Sequence, residues 1–264
     1  MRHLALALLM LPLAAPSHAE PAALPPGLVG ARLLPGWTDD QGRRIAALEL
    51  LLEPGWKTYW RSPGDTGIAP SFDWEGSENI GSVAFHWPAP ELIDSGGSRS
   101  FGFHDRLLLP FEVVPADQDK PVTLAATVDF GLCENICVPA KLSLTAPPSG
   151  DQPDLAIQAA LAEQPQMSDE KPACSLTEIE DGMQVALTLA DPEGVRAVAV
   201  ELPDRPEVWV SMAETETDAN GAMTATADLV PPEGKPFDLD PETLRITLIG
   251  EGPAREMRGC DAAG

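Results

Sequence analysis

Short apolar or alternating runs, each ended by Gly, Pro, Asp or Asn, recur along most of this chain. Arg44 to Leu52, Val83 to Trp87, Leu107 to Val114, Val122 to Phe130 and Leu142 to Thr145 have the length and patterning of β-strands. The stretch 146–153, Ala-Pro-Pro-Ser-Gly-Asp-Gln-Pro, has the composition of a linker. Asp154 to Gln164 follows as one short helix, with Pro153 at its start. Strand signals return after Pro172, at Met183 to Leu189, Ala197 to Leu202, Val208 to Met212, Ala222 to Leu229 and Leu244 to Ile249. Close-set strands without intervening helices fit sandwiches better than βαβ units. The expected architecture is all-β: one sandwich over 20–147, a linker with a short helix over 148–172 and a second sandwich over 173–264. No convincing internal repeat relates the two halves.

The first residues follow another pattern. Met1-Arg2-His3 precedes an apolar run from Leu4 to Ala15, and Ser17-His18-Ala19 supplies small residues for cleavage. Residues 1–19 read as a secretory signal cut after Ala19. The run is shorter than the ~20 residues that span a bilayer, and no later stretch is long and apolar enough. The mature chain of about 245 residues suits two ordinary domains in an oxidising compartment where disulfides persist. The formal net charge of −24 repels phosphate backbones and anionic lipid, which sets nucleic-acid binding aside.

An oxidising compartment gives weight to the four cysteines, which fall into one tight and one wide pair. Cys133 and Cys137 lie in Gly131-Leu-Cys-Glu-Asn-Ile-Cys-Val-Pro139. On one straight strand their Cα atoms would stand ~13 Å apart, whereas a disulfide needs ~4.4–6.8 Å. They can bond only if the segment turns between them, as a helical turn or a tight loop. Spacing leaves two readings open: a short structural bridge, or a bond suited to switching because so small a ring adds little loop-entropy stability. Cys174 and Cys260 flank the second half and would close a loop of about 87 residues, for which chain entropy gives ~4–5 kcal/mol. They read as a structural disulfide, with a second redox pair as the alternative.

Residues Gly131 to Leu144 resemble the Cys-x-x-x-Cys-[Val/Ile]-Pro signature of the N-terminal domains of DsbD and the related ScsB proteins. Pro54-Gly-Trp-Lys-Thr-Tyr-Trp-Arg-Ser-Pro-Gly-Asp65 resembles that family's early Gly-aromatic-x-x-Tyr segment, and Phe103 to Pro110 resembles its Asp-Arg-Leu-x-Leu-Pro strand. The resemblance covers roughly residues 27–147. It implies an immunoglobulin-like fold for the sandwiches and a periplasmic location. It also implies protein-disulfide reductase chemistry, with Cys133 and Cys137 shuttling electrons between a separate membrane DsbD/CcdA-like transporter and periplasmic thioredoxin-like partners. No cofactor is implied. In the family an aromatic caps the cysteine pair; here Ser95-Gly96-Gly97-Ser98 stands at that loop, with Phe101 or Phe103 as substitutes. Family members continue into a membrane electron transporter, and this sequence ends at Gly264 without one.

Other residues complete the candidate site. Asp129 and Glu134 are the near carboxylates and disfavour a thiolate, while Lys141 is the nearest cation in sequence. The pair therefore reads as a disulfide that receives attack. Val138-Pro139 should hold Cys137 against the sheet and leave Cys133 the more accessible sulfur. Trp56, Tyr59 and Trp60 either line the site or belong to the core; Trp37, Trp74, Trp87 and Trp209 read as core. His86 and His104, with two thiolates, would make a Cu(I) site, the reading weighed against plain core or surface histidines. A copper carrier, or an envelope binding module with structural disulfides only, is thus the alternative to thiol exchange. No Ser/His/Asp constellation, phosphate loop or zinc motif argues for a hydrolase or a nucleotide enzyme.

Overall fold

The computed structural model describes residues 24–190 and 192–262, so the expected signal segment lies outside it. The first unit contains β1 (Leu28–Thr38), β2 (Arg44–Leu52), β3 (Lys57–Tyr59), β4 (Ser71–Asp73), β5 (Ile80–Phe85), β6 (Glu91–Ser95), β7 (Ser98–His104), β8 (Arg106–Pro115), β9 (Ala125–Cys133) and β10 (Cys137–Thr145). They form two antiparallel sheets, ordered β1-β2-β8-β5 and β10-β9-β3-β7-β6, with β4 also pairing with β9. Leu48, Leu50, Leu109, Phe111, Val128, Phe130 and Leu132 fill the space between them.

Strand β2 explains why its apolar run hardly alternates. Ala46, Leu48 and Leu50 face the sandwich core. Ile45 and Ala47 face outward and are covered by Ile157 and Ala160 of helix α1 (Leu155–Ala162). Asp154 caps that helix by accepting from the amides of Ala156 and Ile157. The linker is held as well: buried Arg44 donates to the carbonyls of Pro35, Val122 and Pro147.

The second unit contains β11 (Gln166–Ser168), β12 (Ala173–Ile179), β13 (Gly182–Leu189), β14 (Val195–Glu201), β15 (Trp209–Val210), β16 (Glu214–Thr217), β17 (Met223–Val230), β18 (Arg245–Gly250), β19 (Arg255–Arg258) and β20 (Asp261–Ala262). Its sheets run β11-β19-β18-β14 and β15-β17-β13-β12-β20, with β16 also on β17. The fold is thus all-β, two immunoglobulin-like sandwiches in tandem. A disulfide joins Cys174 on β12 to Cys260 between β19 and β20. Trp209 departs from the expected core placement: it is 49% exposed on the two-residue strand β15 at the end of its sheet. Among the described residues no helix is long and apolar enough to cross a membrane.

The two units pack through the alternation of β14. Val198 and Val200 enter the second core, while the small side chains of Ala197 and Ala199 join the first core from outside. An ion cluster seals the contact. Arg61 of the first unit bonds Glu201 at 2.9 Å and Glu256 at 2.6 Å, and Arg245 stands 3.6 and 3.5 Å from the same two carboxylates. The Arg61 guanidinium also lies 4.1 Å from the ring centroid of Trp60.

Candidate functional site

The tight cysteine pair closes a β-hairpin. Cys133 ends β9, Cys137 opens β10, and Glu134, Asn135 and Ile136 form the turn between them. The two cysteines are directly opposed in the antiparallel register, with Cα atoms 4.1 Å apart and a disulfide between their sulfurs. The tight loop that the spacing requires is therefore the hairpin turn itself.

Pairing across the sheet places the surroundings. Cys133 is opposite Lys57 on β3, and Lys57 is opposite His104 on β7. Directly opposed residues share a face, so Cys137, Cys133, Lys57 and His104 form a row on the outer face of this sheet. The next residue along, Leu132, points into the core. Tyr59 lies two residues from Lys57 and shares the outer face. Its hydroxyl stands 2.8 Å from Cys133 Sγ and 3.0 Å from Cys137 Sγ. A disulfide sulfur carries no proton, so the tyrosine O–H is the donor to both. Burial pushes the phenol above its ordinary range, which keeps that proton in place.

Glycines make room for this tyrosine. A Cβ at Gly131 would come within 2.9 Å of the Tyr59 ring and of Ile68 Cβ, and a Cβ at Gly67 would meet the same ring at 2.9 Å. The loop after β3 thus folds back over the sheet and holds the ring against Gly131, while Thr58 Oγ1 donates to the Gly131 carbonyl at 2.9 Å.

The sulfurs are not equivalent. Cys133 is 1% exposed, whereas Cys137 is exposed and follows Ile136, which is 78% exposed. This reverses the expectation that Cys137 would be the sheltered sulfur. The reason is sheet order: β9 is flanked by β10 and β3 and roofed by Tyr59, but β10 is an edge strand with one neighbour. Pro139 is compatible with an edge.

The aromatic candidates separate. Tyr59 touches both sulfurs. Trp60, Phe101 and Phe103 do not line the pair; they point to the opposite face and lie in the core, Trp60 edge-on to Phe101 and Phe103 stacked on Trp87. Strand alternation makes this unavoidable, because each is an odd number of positions from an outward-facing neighbour. Trp56 is partly buried against the same core, its ring over Gly27. Glu134 is exposed in the turn and leans towards Gly55.

Ser95, Gly96, Gly97 and Ser98 form the tip of the β6–β7 hairpin. The Lys57 ammonium donates to Ser95 Oγ, bringing the hairpin tip to the side chain beside Cys133. Neither Phe101 nor Phe103 caps the sulfurs from there, since both are committed to the core. Lys141, the cation nearest in sequence, is paired to Asp129 at 3.1 Å. His86 Nδ1 is 3.3 Å from Gln164, and His104 Nδ1 is 2.8 Å from Glu91. Lys57 stands between His104 and Cys133 in the register, so the imidazole and the sulfur are not on adjacent strands of this face. Among the described residues no group of three or more His, Cys, Asp or Glu is placed to hold a metal ion. Lys57 and Ile68 escaped the sequence reading; alternation from Tyr59 would have put Lys57 on the site face had β3 been seen as a strand.

Residues 31–148 match the family model of "Thiol:disulfide interchange protein DsbD, N-terminal". The first sandwich is a DsbD N-terminal-type domain. The solved N-terminal periplasmic domain of ScsB from Proteus mirabilis superposes with a TM-score of 0.64 at 22% identity, covering 89% of this chain and 92% of that one. This likeness is one of fold and runs through both sandwiches. The periplasmic chaperone SfaE aligns over 89% of this chain and 100% of its own at 11% identity, but its TM-score of 0.22 carries no argument. A comparison with curated proteins finds no match.

Proposed function

We propose that this chain is a periplasmic thiol:disulfide interchange module, relaying electron pairs through Cys133 and Cys137 between thioredoxin-like proteins and a separate membrane DsbD/CcdA-like transporter. The observation that carries the reading is one hairpin disulfide with an exposed sulfur, a buried sulfur and a buried hydroxyl donating to both. The DsbD-type match of the same segment supports it. The periplasmic assignment rests on the signal-like first residues and on the compartment of the ScsB domain.

The chemistry follows from access. A thiolate of a partner dithiol attacks Cys137 Sγ, the sulfur it can reach. A bond forms between the partner sulfur and Cys137, the Cys133–Cys137 bond breaks, and its electron pair leaves on Cys133. The Tyr59 hydroxyl donates to that developing anion, as preorganised donors do at other reacting centres. The partner's second thiolate then attacks its own sulfur in the mixed disulfide and releases Cys137. The partner becomes a disulfide, this chain a dithiol, and the two protons lost by one are taken up by the other. Run in reverse, the same steps pass the electrons onward.

The test is to mix oxidised protein with a reduced thioredoxin-like dithiol and map free thiols by peptide. Cys133 and Cys137 should open first while Cys174–Cys260 stays closed. With an activated mixed-disulfide partner, the Cys133→Ser variant, which keeps Cys137, should be captured faster than Cys137→Ser. Opening of Cys174–Cys260 first, or a Cys133–Cys137 potential below about −300 mV as in structural bonds, would instead favour a binding module with structural disulfides.

A further inference from the structure

We infer that Lys57 is the electrostatic partner of Cys133, favouring departure of that sulfur as a thiolate when Cys137 is attacked; the inference rests on the exchange reading above. Lys57 is directly opposite Cys133 across the β3–β9 ladder. Opposed side chains have Cβ atoms ~4.5–5.5 Å apart on one face. The lysine is only 6% exposed, so its charge sits where water screens it poorly.

A buried ammonium normally has a carboxylate partner. Two buried carboxylates of this molecule are paired: Glu49 is held by Arg32 and Arg106, and Glu256 by Arg61 and Arg245. Buried Arg44 lacks a carboxylate but its guanidinium is met by three backbone carbonyls. Lys57 has instead one neutral partner, the Ser95 hydroxyl. Burial alone pushes its ammonium below the ordinary lysine range, and no carboxylate offsets this. The neighbouring charged or titratable groups are already engaged or lie aside. His104 is bonded to Glu91, Asp129 to Lys141, Tyr59 keeps its proton, and Glu134 is exposed in the turn.

The missing counter-charge is supplied by the reaction. The oxidised pair is neutral. Attack on Cys137 breaks the bond and places an electron pair on Cys133, one strand from the unmatched ammonium. Attraction between them lowers the proton affinity of the Cys133 thiol, and a leaving thiol of lower pKa departs faster. Because the interaction exists only after the bond opens, it favours the dithiol over the disulfide and makes the pair a stronger oxidant.

The experiment uses the full chain carrying Cys137→Ser, in which Cys133 is the only free thiol with Cys174–Cys260 closed. The thiolate absorbance of Cys133 is titrated with Lys57 intact and with Lys57→Met, Lys57→Gln and Lys57→Arg. Removing the charge should raise the Cys133 pKa by about one unit or more, and Lys57→Arg should restore most of the shift. In the two-cysteine protein, Lys57→Met should slow reduction by a small dithiol several-fold, because a leaving thiol of higher pKa departs more slowly. An unchanged Cys133 titration in whichever neutral variant keeps a cooperative melt would overturn the inference. A merely structural lysine would lower the melt without moving the titration. If wild-type protein exchanges with no thioredoxin-like dithiol while the titration shifts as stated, the exchange reading fails and the pairing of Lys57 with Cys133 survives.

Discussion

At the residue scale, Tyr59 carries the most specific geometry in the molecule. One hydroxyl reaches both sulfurs, and two glycines leave space for its ring. Tyr59→Phe keeps the ring and removes the donor. The loss in stability should be small, about 1 kcal/mol. Exchange should fall by about tenfold if the hydroxyl bond to the departing thiolate is worth ~1.4 kcal/mol more than its bond to the disulfide. Stopped-flow reduction beside a thermal melt separates the two effects. A rate loss no larger than the stability loss implies would remove Tyr59 from the chemistry. Tyr59 was a candidate in the sequence, but its partners Trp60, Phe101 and Phe103 were not told apart from it. All four are aromatic, and only alternation about a correctly placed β3 sends one outward and three inward.

At the scale of elements, the two disulfides close loops of very different length. Cys133–Cys137 spans a sequence separation of 4 and duplicates a constraint the hairpin register already imposes. Cys174–Cys260 spans 86 and ties β12 to the chain end between β19 and β20. Replacing both wide-pair cysteines with serine should destabilise the second sandwich by roughly 2–5 kcal/mol. Cys133→Ser should cost much less while abolishing exchange. Calorimetric melts of the two variants check this, and equal losses would erase the distinction. Several long strands, such as β2, β8, β9, β13 and β17, were visible in the sequence because they bury apolar side chains on one or both faces. β1, β3, β6, β7 and β12 were among those that were not. β1 is interrupted by Gly30, Pro35 and Gly36, and the others are short or mix polar and charged residues, so their burial comes from the strands beside them rather than from their own composition.

At the scale of the whole molecule, the second sandwich is fastened to the strand that carries Tyr59. Arg61, two residues on, leaves β3 and enters the cluster with Glu201, Glu256 and Arg245. These side chains are only 11–20% exposed, so losing one leaves charges poorly solvated. Arg61→Met should weaken the contact between units by about 3 kcal/mol, less the share Arg245 still supplies to the two glutamates. The expected readout is a melt that splits into two transitions, with faster proteolysis between the units. One unchanged cooperative transition would show that the packing of Ala197, Ala199 and Ile249 on the first core suffices.

The sequence by itself determined the all-β class, the two-sandwich plan, the division of four cysteines into a tight and a wide pair, and the turn the tight pair requires. Those features are local: they depend on alternation, turn residues and the reach of a few peptide units. Tertiary structure alone decided which sulfur is exposed, because that depends on β10 lying at an edge and β9 beside β3, where Lys57 pairs with Cys133 from far along the chain. It decided that Lys57, rather than Lys141, is the cation beside the pair that lacks a carboxylate, since Asp129 meets Lys141 across the hairpin and nothing of opposite charge among the described residues meets Lys57. Neighbours across a sheet are set by strand order, and strand order is fixed by how two cores fill, which no single segment of the chain encodes.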